Sequence, residues 1–317
     1  MTCCFWNQKE NQMRQTFALL LIVTMLTGAS ELSAQQKSKP KTVPAFQWAS
    51  SLPKNAHEDI QHDTFHSEAN KADVGYCLLL PPGYSEAANK SQRYPVVYWL
   101  HGGRPGGETK NISMAKYIAP AMKEGKVPPM IYVFPNGGKL SHYDHGGFKG
   151  EQAFLELLKH VDKTYRTIAN RSGRAVEGFS QGGRGTGRYM FKFPELFCSA
   201  APLGGGQQHE KRINESDGKE SESLTIVLAS NNTWSLAARF AENKDAPKLR
   251  IFIAVGDQDF NFGANQSWSQ HLKKLGIKHE FVIVPGIPHS SQKMYEKIGD
   301  QIIEFHVDSF RKSGAIE

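Results

Sequence analysis

Residues 178–183 read Gly178-Phe179-Ser180-Gln181-Gly182-Gly183 and stand between a short apolar run and a helix-like stretch. A serine framed this way fits a sharp strand–turn–helix corner that presents one hydroxyl as a nucleophile. The flanking glycines remove side chains that would collide with the neighbouring strand and helix. In a chain with 29 glycines the pattern could also be an ordinary Gly-rich loop, so the rest of the chain has to decide. A serine hydroxyl attacks a carbonyl only when a base takes its proton. Of twelve histidines, His289 is placed best. It closes the loop Pro285-Gly286-Ile287-Pro288-His289, after the last strand-like run and before the last helical one. That location, and the chain order serine, acid, histidine, mark it as the base.

The imidazole needs a carboxylate to hold its tautomer. Asp257 and Asp259 both follow the strand-like run Leu249–Val255. An extended backbone would point them to the same side, so periodicity leaves the choice open. Two backbone N–H groups would hold the oxyanion. One is expected from Gln181, at the start of the helix after the serine. The other is expected from His101-Gly102-Gly103, with Gly103 as the donor, about 80 residues before the serine.

These four motifs lie at successive strand exits, where open α/β sheets bind ligands. Asp59–Leu80 reads as two strand pieces around Ser67–Asp73, an antiparallel hairpin stopped by Pro81-Pro82-Gly83-Tyr84. Strands are expected at Tyr94–Leu100, Met130–Phe134, Arg174–Gly178, Phe197–Leu203, Leu249–Val255 and Lys278–Val284. Helical patterns fall at Glu151–Tyr165, Gln181–Lys192, Trp234–Ala241, Gln266–Leu275 and Met294–Phe310. Residues 207–223 are polar and read as a surface loop, followed by a short apolar run at Thr225–Ala229. The alternation predicts one α/β domain, over 57–313, with a mainly parallel central sheet and helices on both faces.

The first 34 residues have the layout of a secretory signal peptide. Lys9 and Arg14 precede an eleven-residue apolar run, Thr16–Leu26, and Ala34 ends a small-residue cleavage site. The run is too short to span a bilayer comfortably, which weighs against an uncleaved anchor. Met13 as the start would give a tidier signal. Residues 35–56 read as a polar linker. The expectation is a secreted or periplasmic protein with no stable membrane insertion. The formal charge is +7, with the basic residues scattered. That excludes a nucleic-acid stripe and leaves a weak attraction to acidic polymers. Cys77 and Cys198 remain after cleavage; export permits a disulfide between them, but both sit in apolar contexts and read rather as buried free thiols. His57, His62, His66, His142 and His145 match no metal spacing. No cofactor is called for, and oligomeric state is left open.

With these motifs in place, the chain resembles the putative-esterase family of α/β-hydrolases. That family holds carbohydrate esterases of the feruloyl and acetylxylan type, S-formylglutathione hydrolases, siderophore esterases and mycolyltransferases. The resemblance runs over about residues 57–310 and includes Leu80-Pro81-Pro82-Gly83-Tyr84, Val161–Thr167 and Phe193-Pro194-Glu195-Leu196-Phe197. It implies an α/β-hydrolase fold and a serine carboxylesterase working through an acyl-enzyme. The substrate would be a small-molecule or polysaccharide ester, its feruloyl or acetyl group linked to carbohydrate. It also selects Asp259 as the acid, through Gly256-Asp257-Gln258-Asp259. Ser180, Asp259 and His289 are then the catalytic residues, with Gln181 and Gly103 forming the oxyanion hole. Acyl transfer, another ester class (siderophore or thioester) and a non-catalytic glycan-binding module are the alternatives. The chain departs from the family pattern at Glu177, a carboxylate beside the corner that needs a partner if buried. Arg184 and Arg188 are the expected partners. Pro288 is a second departure.

Overall fold

The computed structural model describes residues 46–103, 105–207 and 232–317. The leader at 1–34, the first part of the linker, most of the polar loop at 207–223 and the apolar run Thr225–Ala229 lie outside the described residues.

Ten strands and six helices are found among the described residues. The strands are β1 (Ile60–Ser67), β2 (Ala72–Leu79), β3 (Val96–Leu100), β4 (Ile131–Pro135), β5 (Asp144–His145), β6 (Phe148–Lys149), β7 (Arg174–Phe179), β8 (Ser199–Leu203), β9 (Arg250–Gly256) and β10 (Glu280–Val284). The helices are α1 (Ala115–Lys123), α2 (Gly150–Thr164), α3 (Gln181–Lys192), α4 (Thr233–Glu242), α5 (Phe262–Lys274) and α6 (Ser291–Lys312). Eight strands form one sheet in the order β1-β2-β4-β3-β7-β8-β9-β10. The β1–β2 and β2–β4 pairs are antiparallel; every later pair in that sheet is parallel. β5 and β6 make a separate small hairpin.

Every residue of β3, β4, β7 and β8 is buried. A parallel strand covered on both faces reads as a continuous apolar run, and Val96–Leu100 does so. Alternate side chains feed two cores. Val97 and Trp99 join one that also holds Ile118 of α1 and Ile302, Ile303 and Phe310 of α6. Val96, Tyr98 and Leu100 join the other, with Phe154 of α2, Tyr189 of α3 and Trp268 of α5. Helices therefore cover both faces, and the molecule has the α/β-hydrolase fold.

The sequence pattern passes over α1, which carries Pro120 in its interior, and α5 begins at Phe262, ahead of the expected Gln266. Cys77 and Cys198 are buried free thiols. Burial pushes the Cys77 thiol up to about 12, so it is inert as a nucleophile. Among the described residues no helix is long and apolar enough to cross a membrane.

Candidate active site

The β7–α3 corner comes first. Ser180 has φ 60° and ψ −116°, a left-handed conformation that a side chain adopts only under strain. Its N–H donates to the Leu203 carbonyl on β8 at 2.9 Å, and its carbonyl accepts from Arg184 N–H at 2.9 Å. The corner can close only because Gly182 lacks a Cβ; one built there would lie 1.9 Å from the Leu100 carbonyl oxygen. The strand and helix that flank Ser180 are thereby seated directly against β3.

The Ser180 hydroxyl lies 2.8 Å from His289 Nε2. His289 Nδ1 lies 2.8 and 2.9 Å from the two carboxylate oxygens of Asp259. A carboxylate accepts only, so Nδ1 carries the proton and Nε2 is left to accept from the serine. The Asp259 side chain is fully buried, whereas that of His289 is 19% exposed. Asp259 Oδ1 also accepts from Asn261 N–H at 2.7 Å. Asp257 is exposed and turns elsewhere. Its Oδ1 accepts from Gly286 N–H at 2.7 Å and so braces the loop that carries His289. Gln258 N–H to the Ile287 carbonyl and Asp257 N–H to the Val284 carbonyl are further ties between the same two loops.

The His101–Gly103 loop ends β3 against this corner. A Cβ built on Gly102 would sit 3.3 Å from Ser180 Cβ. Gly102 N–H donates to Asn111 Oδ1 at 3.3 Å, and Asn111 Nδ2 donates to Ser291 Oγ at 3.2 Å. Asn111 thus connects this loop to the start of α6, two residues beyond His289; as a lone Asn-x-Ser triplet it reads only as a weak glycosylation match. Gly103 has φ 71°, a value glycine adopts at no steric cost. Its carbonyl accepts from the Ser141 hydroxyl. Gln181 N–H opens α3 and, as a first-turn donor, has no acceptor within the helix.

Two buried histidines hold that loop. His101 Nε2 accepts from Gly137 N–H at 3.0 Å and Gly107 N–H at 3.3 Å. His142 Nε2 donates to the His101 carbonyl at 2.9 Å. The two rings are 4.7 Å apart. Ser141 and His142 both have positive φ, 40° and 73°, so the backbone is bent to bring them there. Burial lowers His142 to about 4 and holds His101 well below the usual histidine range, where both stay neutral. Tyr143 and Asp144 have structural partners: Arg188 stacks on the Tyr143 ring at 4.1 Å, and Asp144 Oδ1 accepts from Glu151 N–H at 3.0 Å at the start of α2.

The expected partners of Glu177 are corrected. Glu177 is fully buried. Its Oε1 accepts from the Tyr295 hydroxyl and its Oε2 from His306 Nε2 at 3.0 Å. Both come from α6. Arg188 instead reaches Glu151 at 2.8 Å. Alternation along β7 explains the difference, since Glu177 sits beside Trp99 on the face that α6 covers.

Phe260 carries no prior expectation. It follows Asp259, is 76% exposed, and its ring lies 4.0 Å from the His289 imidazole. A large apolar residue in the otherwise polar stretch Gln258–Asn261 is the signal that could have found it. Among the described residues no group of three or more His, Cys, Asp or Glu side chains could hold a metal ion.

The chain is 28% identical over 247 residues to an endo-1,4-beta-xylanase/feruloyl esterase of Xylanibacter ruminicola, covering 74% of this chain and 29% of that protein. It is 32% identical over 253 residues to Esterase Rv1288 of Mycobacterium tuberculosis, covering 70% of this chain and 54% of that one. The chain thus spans about half the length, or less, of these curated relatives. A solved ferulic acid esterase superposes with a TM-score of 0.67 at 24% identity, over 80% of this chain and all of that one. That likeness speaks for the fold. The family described as "Putative esterase" matches residues 67–292, from the end of β1 to the first turn of α6 and across Ser180, Asp259 and His289. The chain belongs to that esterase family of α/β-hydrolases.

Proposed function

We propose that the protein is an exported serine carboxylesterase that hydrolyses carbohydrate-linked acyl esters through an acyl-enzyme. The observation that carries this reading is the unbroken chain of contacts from Ser180 through His289 to Asp259, at 2.8 and 2.8 Å.

Ser180 Oγ attacks the ester carbonyl while His289 Nε2 takes its proton. The imidazolium so formed is held by Asp259, which stays ionised. Negative charge gathers on the former carbonyl oxygen, facing the N–H groups of Gln181 and Gly103. Preorganised donors of this kind are worth about 10²–10³ each in kcat. Collapse expels the alcohol, protonated by His289. Water then enters, gives a proton to His289, and attacks the acyl-enzyme to release the acid and free Ser180. Family membership supports the reaction class. A curated relative named for xylanase and feruloyl esterase activities supports carbohydrate-linked substrates. The leader composition supports export to where such polymers lie.

A fluorophosphonate probe and an aryl ester series test the reading. Wild-type protein should label on Ser180 and release an initial burst of phenol. Ser180→Ala should fold and do neither. Equal turnover by the alanine variant rules the assignment out.

A further inference from the structure

Large exposed apolar side chains are rare here: among the described residues, Phe260 at 76% and Ile283 at 43%. Phe260 is also the one that touches the triad. Its ring centroid lies 4.0 Å from that of His289, the planes inclined by 38°. The buried Phe179 ring lies 4.8 Å from the same imidazole.

The loop that carries Phe260 is pinned on both sides of it. Asp259 N–H donates to the Gly256 carbonyl, and Phe262 N–H donates to the Asp259 carbonyl at 2.8 Å. The Asn261 side chain is buried, and its Nδ2 donates to the Gly204 carbonyl at 3.0 Å. The phenyl ring is therefore held out into solvent by a fixed turn. A single exposed apolar side chain is ordinary on a surface; this one is set apart by a fixed turn that rests it against His289.

Chemistry says which part of the ligand. The leaving-group oxygen must come within about 3 Å of His289 Nε2 to receive its proton. The first atoms of the departing alcohol then pass over the ring resting on that imidazole. The π face of phenyl is electron-rich and attracts C–H groups that carry partial positive charge. A sugar ring presents a flat face of such C–H groups, while a methyl or ethyl group does not.

We propose that Phe260 is a specificity-determining platform for the alcohol side of the ester, selecting a cyclic, sugar-like alcohol over a short acyclic one. This inference rests on the esterase reading above. It goes beyond that reading by assigning the alcohol subsite to one named residue.

The test uses two esters of one aromatic acid, a methyl ester and a pentose ester. Both form the same acyl-enzyme, so hydrolysis of that intermediate cancels when kcat/KM values are compared. The readout is the ratio of kcat/KM for the pentose ester to that for the methyl ester. Phe260→Ala and Phe260→Leu should lower it roughly three- to tenfold, the value of one aromatic contact. Phe260→Tyr and Phe260→Trp should keep it near the wild-type value. An equal fall for both esters overturns the proposal, because it would mean that Phe260 only positions His289. An unchanged ratio overturns it as well. Wild-type protein that labels with fluorophosphonate and cleaves both esters, yet shows no change of ratio in the variants, sinks only the platform. Wild-type protein that neither labels nor cleaves sinks the esterase reading itself.

Discussion

Replacing Glu177 by alanine should cost about 4 kcal/mol of stability while leaving the Ser180–His289–Asp259 contacts in place. The carboxylate accepts from the Tyr295 hydroxyl and from His306 Nε2. Tyr295 in turn accepts from Trp99 Nε1 at 3.0 Å, and His306 Nδ1 lies 2.8 Å from Ser199 Oγ. Glu177 and His306 are fully buried and Tyr295 nearly so, so water cannot replace a lost acceptor. Each stranded buried donor costs about 1–3 kcal/mol. Two donors are stranded here, which sets the figure near the middle of about 2–6 kcal/mol. In a domain of this size the melting temperature should fall by roughly 8–16 °C. Glu177→Gln should cost much less, about 1 kcal/mol. Its amide keeps one acceptor for Tyr295, and His306 can change tautomer to accept from the new NH2. A triple replacement, Glu177→Leu with Tyr295→Phe and His306→Leu, removes those two donors but strands Trp99 Nε1 and Ser199 Oγ in their place, so it should cost about as much as Glu177→Ala. Urea unfolding followed by tryptophan fluorescence reads all three. An alanine variant within about 1 kcal/mol of wild type, or a glutamine variant as costly as the alanine one, would refute the reasoning.

Asp259→Asn should lower kcat by about 10⁴, because the amide favours the wrong imidazole tautomer. Asp257→Asn should lose less than about tenfold, since an amide oxygen can still accept from Gly286 N–H; kcat on an aryl ester separates the two. Gly182→Ala should unseat the corner, because its methyl would meet the Leu100 carbonyl oxygen at 1.9 Å. Overpacking against a central strand costs about 1–3 kcal/mol or more, so the melting temperature and the labelling of Ser180 should drop together. Acid should weaken the fold through His142, lowered by burial to about 4, and through His101 in the same direction. Unfolded histidine protonates near 6.5, so between about 6.5 and 4 the unfolded chain binds the extra proton. Stability is full above that window and falls as pH drops through it, by about 3 kcal/mol from His142 alone. Urea midpoints at about pH 7, 5.5 and 4.5 check this; a flat series contradicts it.

The elements that position the site were legible because each carries a local signal. Continuous apolar runs located the buried strands, and the Gly-rich corner located Ser180 with helix bounds that match α3 at Gln181 and Lys192. Chain order and the strand exits pointed to His289. Spacing could not separate Asp257 from Asp259, because the choice depends on the turn after Gly256, where the backbone leaves the extended conformation. The partners of Glu177 stayed hidden for a related reason. Alternation says that a side chain faces the side opposite its neighbour, but not which helix covers that side. Tyr295 and His306 are more than a hundred residues away. Helix α1 escaped because proline inside a helical stretch normally argues against one, and Phe260 because an isolated aromatic in a loop has no period.

The bonds between the Asp257–Asp259 turn and the Pro285–Pro288 loop make Asp259 and His289 a single piece, borne on β9 and β10 at one edge of the sheet. Ser180 belongs to a different piece, deep in the middle. Edge strands detach before central ones when a protein opens locally. Heat should therefore silence this molecule in one stroke, by peeling away the half that carries Asp259 and His289 while Ser180 still rests in an intact core. Inactivation would then run ahead of global melting, and amide exchange at Ile253–Val255 would quicken before exchange at Val97–Trp99.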